Sequence, residues 1–170
     1  KITQRVSIDQ RPSIVDEKSR IGDWEADLML GGQGGGALLT VVERKSRWTC
    51  MARLPSKQSE VVAEALINLL RPYKKQVKTV TLDNGNEFAQ HVNVSKALQA
   101  SVYFAHPYCA WQRGLSENTN GLLRQYFPKG TNFKIIRQAK LDQIQKRLNQ
   151  RPRKGLEFLT PQQIFQPERS

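Results

Sequence analysis

The chain has 170 residues, 38% of them apolar, and its 27 Lys and Arg against 15 Asp and Glu give a formal net charge of +12. That length suits one domain with a sizeable core rather than two independent ones, and the gathering of apolar residues into patterned runs argues against a disordered chain. No 18-residue apolar run is present to span a membrane, and the charge favours an anionic partner without identifying it.

Residues 1–21 read as a polar arm containing Arg11-Pro12, ahead of a single domain over 22–170. The chain opens on Lys1 with no secretory pattern, as expected of an excised or processed domain. In WEADLML, Trp24, Ala26, Leu28 and Leu30 alternate with Glu25, Asp27 and Met29, which predicts a strand with one buried face and Asp27 on the other. The GGQGGG run, Gly31 to Gly36, lacks the Gly-Lys-Ser or Gly-Lys-Thr ending of a phosphate loop and reads as a flexible hairpin tip. Ala37–Val42 is the second predicted strand, ERKSR a turn, and Trp48–Leu54 the third strand.

Ser56 is the expected cap of a helix running through SEVVAEALINLL, whose Val61, Val62, Ala65, Leu66, Leu69 and Leu70 form a core-facing stripe. Arg71-Pro72 is its expected stop. VKTVTL, Val77–Leu82, is a strand ending against Asp83. A helix over Val92–Leu98 and a strand over Val102–Phe104 follow. Helices are then expected over Leu115–Tyr126 and Ala139–Leu148, the second with Leu141, Ile144 and Leu148 on one ridge, and a short one in LTPQQIF begins near Pro161. This order is that of a mixed α/β domain.

Cys50 and Cys109 have no ligand-like spacing and read as two free thiols, which favours a reducing compartment. His91 and His106 read as structural or surface residues rather than zinc ligands.

Three carboxylates stand apart: Asp27 on the first strand, Asp83 just past the fourth and Glu117 early in a later helix. Each has an ordinary alternative, as a polar strand residue, an Asx turn with Gly85 and a solvated helix residue paired with Arg113. Together they form a hard-oxygen set suited to Mg²⁺ or Mn²⁺, and two such ions about 3.5–4 Å apart can serve the attacking and leaving oxygens of one phosphate. Glu117, Asn120, Gly121 and Arg124 fall on one helical edge, where Asn120 or Arg124 can meet phosphate and Gly121 permits close approach; Arg124 reads equally as an exposed solubilising residue. Trp111 either stacks on an unpaired base or anchors its loop, with Arg113 beside it to hold backbone phosphate. Lys129, at the PKG end of the same segment, completes the candidate DNA-binding set. Trp24 and Trp48 are expected to pack on the sheet.

GDWEAD, TLDNGNEF and WQRGLSENTNGLLRQYFPKG resemble the DDE catalytic domain of retroviral integrases and bacterial transposases, especially the IS-thirty family of insertion-sequence transposases. Thirty-three residues separate Asp83 from Glu117, as in that family. The resemblance extends from about Gly22 to Phe165 and implies an RNase H-like fold with a mixed central sheet flanked by helices. It also implies that Asp27, Asp83 and Glu117 are the catalytic, metal-holding triad, with Glu25 and Glu87 as bystanders. The implied activity is a metal-dependent DNA transposase reaction, in which hydrolysis at an element end frees a 3′ hydroxyl that attacks target DNA. The implied partners are transposon-end and target DNA and further copies in a synaptic complex, in the cytoplasm and at the nucleoid. Family members carry an N-terminal helix-turn-helix region; none is evident before Gly22, which is expected of a catalytic core without its sequence reader. The alternatives are an RNase H-like nuclease without strand transfer and a noncatalytic nucleic-acid-binding scaffold.

Overall fold

The computed structural model describes residues 4–107, 109 and 114–166, apart from the side chains of Ser116 and Glu117. Strands β1 (Asp23–Leu30), β2 (Ala37–Glu43) and β3 (Thr49–Leu54) form an antiparallel meander. Helix α2 (Ser59–Leu70) leads to β4 (Thr79–Leu82), and α3 (His91–Leu98) crosses to β5 (Ser101–Phe104). Both β4 and β5 run parallel to β1, so the sheet is mixed, in the order β3-β2-β1-β4-β5. Helices α4 (Gly114–Leu123), α5 (Gln138–Gln150) and α6 (Pro161–Phe165) follow, and a short α1 (Ser13–Glu17) precedes the sheet.

Two apolar layers sandwich the sheet. Trp24, Val41, Val80 and Leu82 pack with Val62, Leu66 and Leu70 of α2 and Val94 and Leu98 of α3. On the opposite face Met29, Leu38 and Met51 meet Leu123, Phe127, Phe133 and the ridge of Leu141, Ile144 and Leu148. Trp24 and Trp48 join Tyr73 and Phe165 in an aromatic cluster, with Trp48 stacked on Phe165 at 5.1 Å between centroids. α6 is tied in place by a reciprocal capping box between Thr160 and Gln163.

This double covering corrects the single-face reading of β1. Met29 is buried and Leu30 is 50% exposed, the reverse of the alternation expected. A central strand divides its residues between two cores rather than between core and water. Helix α2 also starts later than expected: its N-cap is Gln58, and the Ser56 hydroxyl accepts from the Gln58 N–H instead of capping the helix. Beyond Leu70 the chain does not stop but tightens into a 3-10 turn over Arg71–Gln76.

Nor is the glycine tip a free loop. Gly32 N–H donates to the Thr131 carbonyl at 3.0 Å, and Phe133 N–H donates to the Gly35 carbonyl at 2.8 Å. A Cβ on Gly32 would lie 2.7 Å from the Gly130 carbonyl oxygen, and one on Gly36, whose φ is +67°, would collide with the Leu54 carbonyl. Close backbone packing, more than freedom of motion, explains the glycines.

Buried polar groups tie the remaining pieces. The arm lies beside β5, where Phe104 N–H donates to the Val6 carbonyl at 2.8 Å and Ser7 forms a parallel bridge to Phe104. Val15 of α1 is buried, and its carbonyl accepts from Arg44 Nε, while Arg44 Nη1 pairs with the fully buried Glu25 at 2.7 Å. Asp23 accepts from Arg20 and from the Thr79 hydroxyl, and Glu43 accepts from Gly22 N–H and Ser46. Along the outer side of β3, the Asn149 side chain accepts from Thr49 N–H and donates to Thr49 C=O, both at 2.8 Å, and Gln145 accepts from Met51 N–H at 2.9 Å.

Candidate active site

Strand register brings the first two predicted acids into line. Glu25 of β1 lies opposite Thr81 of β4 in parallel pairing, and two residues further along each chain are Asp27 and Asp83. The two-residue side-chain period directs both toward the same face and end of the sheet, on strands about 4.8 Å apart. Both are half-buried. Leu28 N–H donates to Asp27 Oδ1 at 2.9 Å, and Gly85 N–H donates to Asp83 Oδ1 at 2.7 Å. The second contact is an Asx turn; it fixes the Asp83 carboxylate where β4 ends. Asn84 locks the same turn to the sheet by donating to the Ala105 carbonyl and accepting from Arg5.

Helix α4 lies over β1 and β2. Its Asn120 amide donates to Asp27 Oδ2 at 2.9 Å, and the Asn120 carbonyl oxygen is 3.3 Å from the Thr40 hydroxyl. Thr40 is the register partner of Asp27 across the β1–β2 ladder, so Asn120 spans a cross-strand pair. Glu117 lies in the same helix three residues earlier, which puts its backbone one turn from Asn120 on the same edge. The Glu117 side chain lies outside the described residues.

Of the predicted DNA-binding residues, Trp111 and Arg113 lie outside the described residues. Asn120 points at Asp27 rather than outward. Arg124 follows the last turn of α4, half-buried, and donates to the Phe127 carbonyl at 3.4 Å. Lys129 is exposed in the turn after it. Gly121 is exposed, and a Cβ built there meets no atom within 4 Å; the described protein makes no close approach at this point.

Sequence reasoning missed Thr40 and the arm. Arg11 donates to the Thr81 hydroxyl at 2.9 Å and pairs with Asp16, so α1 and its flanks wall the sheet two residues before Asp83. Nothing in a linear pattern links residue 11 to residue 81. The other acids near the motifs have other duties: Glu25 is consumed by Arg44, and the Glu87 carboxylate packs against the Gly85 Cα, where any Cβ would collide with it.

Among the described residues no group of three or more His, Cys, Asp or Glu gathers as a metal cage. The donors present nevertheless suit a hard divalent cation. Asp27 and Asp83 are carboxylates oriented by amide N–H donors, and carboxylate oxygen is the donor type that Mg²⁺ and Mn²⁺ favour. Cys50 is no competing soft ligand: it is buried on β3, and burial pushes its thiol up to about 12. His91 is buried edge-on against Phe104 and His106 bonds to Asp9, consistent with structural and surface roles.

Residues 17–110 match the family model described as the integrase core domain. The chain is 43% identical over 164 residues to the transposase for insertion sequence element IS4351 of Bacteroides fragilis, covering 96% of this chain and 50% of that protein. It is 40% identical over 166 residues to transposase InsI for insertion sequence element IS30A of Escherichia coli (strain K12), covering 97% and 43%. It thus spans about half the length of these relatives. Among solved structures, the catalytic core domain of BIV integrase superposes with a TM-score of 0.62 at 22% identity, over 85% of this chain and 93% of that one. A chain of the simian T-cell lymphotropic virus intasome, solved in complex with PP2A regulatory subunit B56 gamma, gives a TM-score of 0.71 at 18% identity over 88% and 55%. The expected RNase H-like fold is therefore present, an α/β mixed sheet with helices on both faces. The chain belongs to the integrase core domain family, as a DDE-type catalytic core closely related to the IS30-family insertion-sequence transposases.

Proposed function

We propose that this core carries out metal-dependent phosphodiester hydrolysis at element ends and joins the freed 3′ hydroxyl to target DNA. The observation that carries the reading is the alignment of Asp27 with Asp83 on adjacent parallel strands, with α4 bonded to Asp27 through Asn120. In this reading Asp27, Asp83 and Glu117 hold one or two Mg²⁺ or Mn²⁺ ions. When bound, such ions make the phosphorus more electrophilic, ease deprotonation of the attacking oxygen and neutralise charge on the leaving oxygen.

The remaining work falls to the chain. Leu28 N–H and the Asn120 amide orient the Asp27 carboxylate, and the Asx turn does the same for Asp83. Because α4 is bonded to Asp27, its edge carries Glu117 toward the same end of the sheet. Arg124 and Lys129, which follow the helix, supply positive charge for backbone phosphate, and Trp111 and Arg113, which precede it in the sequence, are the further candidate DNA contacts. Gly121 leaves room for a DNA strand to pass against the helix backbone. Two element ends require self-association in a synaptic complex, and a DNA substrate places the protein at the nucleoid. No helix of the described residues is long and apolar enough to cross a membrane.

A branched duplex in which an element end is already joined to target tests catalysis apart from end recognition, because the joining step is reversible. With Mg²⁺ or Mn²⁺, resealed target strand and released end are expected, and both vanish in Asp83→Asn. Cleavage without resealing would favour a simple nuclease. An intact branch in the presence of folded protein and metal would refute the catalytic assignment.

A further inference from the structure

The +12 charge is not wholly spent at the acidic end of the sheet. Three arginines converge where the β2–β3 turn meets the chain leaving α5. Arg47 occupies the turn with φ +62°, and its guanidinium lies against Gly155, where a Cβ would collide with it. Arg153 is 7% exposed; its Nη2 donates to the Leu148 carbonyl at 3.0 Å, and its buried Nε–H has no acceptor among the described residues. Arg151, the exposed C-cap residue of α5, adds a third cation. Burial, and then the charges of Arg47 and Arg151, lower the Arg153 pKa below the ordinary arginine value. None of the three pairs with a carboxylate among the described residues.

A buried cation beside two like charges is costly, and an orphaned N–H adds to the cost. Water can satisfy the N–H but does not neutralise the charge. A tetrahedral oxyanion against the outer guanidinium edges of Arg47 and Arg151 offsets the charge gathered around Arg153, and the planar guanidinium suits it. The location is separate from the acids: Trp24 pairs with Glu43 while Asp27 pairs with Thr40, and Arg47 lies beyond the Glu43 end, more than about 10 Å along the strands from Asp27. We propose that Arg47, Arg151 and Arg153 form a second, noncatalytic phosphate-binding site, which takes one phosphate group of a DNA backbone or one free in solution. The site does not depend on the catalytic reading of Asp27 and Asp83.

Its test follows the Arg153 Nε–Hε NMR resonance and the melting temperature of the 170-residue chain in sodium phosphate against sodium chloride at equal ionic strength and pH. Saturable movement of that resonance is expected, with a melting temperature raised by about 5–10 °C at a hundredfold excess over Kd. Because Arg153 supports the fold through Leu148, the variants are Arg151→Gln and Arg47→Gln, each expected to weaken phosphate at least tenfold while the chain stays folded. A short DNA duplex without divalent cation forms the second arm. Movement with duplex assigns the site to a DNA backbone; movement with inorganic phosphate alone assigns it to the free anion. A resonance unmoved by both, or a response undiminished in Arg151→Gln, overturns the proposal.

Discussion

Glu25→Gln is expected to damage the fold, whereas Asp27→Asn, two residues away on the same strand, is expected to spare it and abolish chemistry. Glu25 is fully buried and pairs at 2.7 Å with Arg44, itself 7% exposed and bonded to the Val15 carbonyl. Removing one partner of such a pair costs about 3–5 kcal/mol, because it strands the other charge. Glutamine retains an acceptor oxygen, which favours the lower half of that range. For a chain of this size each kcal/mol lowers the melting temperature by about 2–4 °C, so a fall of roughly 6–16 °C is expected. Asp27 is half-buried, and asparagine preserves an acceptor for Leu28 N–H; its melting temperature should stay within about 3 °C of the parent. Thermal unfolding by circular dichroism, paired with the branched-DNA assay, separates the two. A Glu25→Gln melt within about 2 °C of the parent, or a larger loss in Asp27→Asn, would refute the division of labour between these acids.

The glycines should respond in opposite directions. Gly121→Ala, in an exposed helix with open space around the new methyl, should raise the melting temperature by about 2–4 °C, and Gly36→Ala should lower it because the methyl meets the Leu54 carbonyl at a φ of +67°. Alkylation near pH 8, read by mass spectrometry, should modify half-exposed Cys109 and spare Cys50, whose thiol is raised to about 12 and so stays protonated; rapid labelling of Cys50 in the folded chain would contradict its burial. Asp9 is held below the usual carboxylate range chiefly by its hydrogen bond to His106. A depressed folded value means that this contact supports the arm above the ordinary carboxylate pKa and loses its support as pH falls through the depressed value, so His106→Ala should move the Asp9 carbon titration upward. An unchanged midpoint would show that the arm docks without this pair.

Asp83 was legible because a short β-branched strand followed by Asp-Asn-Gly is a local signal, and local signals survive folding. The mixed α/β class was equally open, since three closely connected strands are followed by alternating helices and strands, whereas the order of the strands in the sheet came only from the structure. The partner of each polar side chain was not. Asn120 suggested a phosphate contact by its place on a helix edge, yet its amide meets Asp27, and only the β1–β2 register reveals Thr40 on its other side. Likewise Glu25 and Asp27 carry the same charge in the same motif, and residue 44, from the next strand, decides which of them is consumed by an ion pair. Leu30 and Met29 exchanged environments because alternation reports a two-sided strand without saying which side is wet.

The side-chain amides along β3 limit how this molecule can assemble. A sheet's outer strand ordinarily offers unpaired peptide groups as a template for a strand from another molecule. Here Asn149 occupies both peptide groups of Thr49, Gln145 takes Met51 N–H, and at the opposite margin Val6 takes Phe104 N–H. Strand-by-strand growth from one subunit into the next is therefore blocked at these positions. At Thr49, Met51 and Phe104 a second copy would meet side-chain amides and the arm rather than open peptide groups.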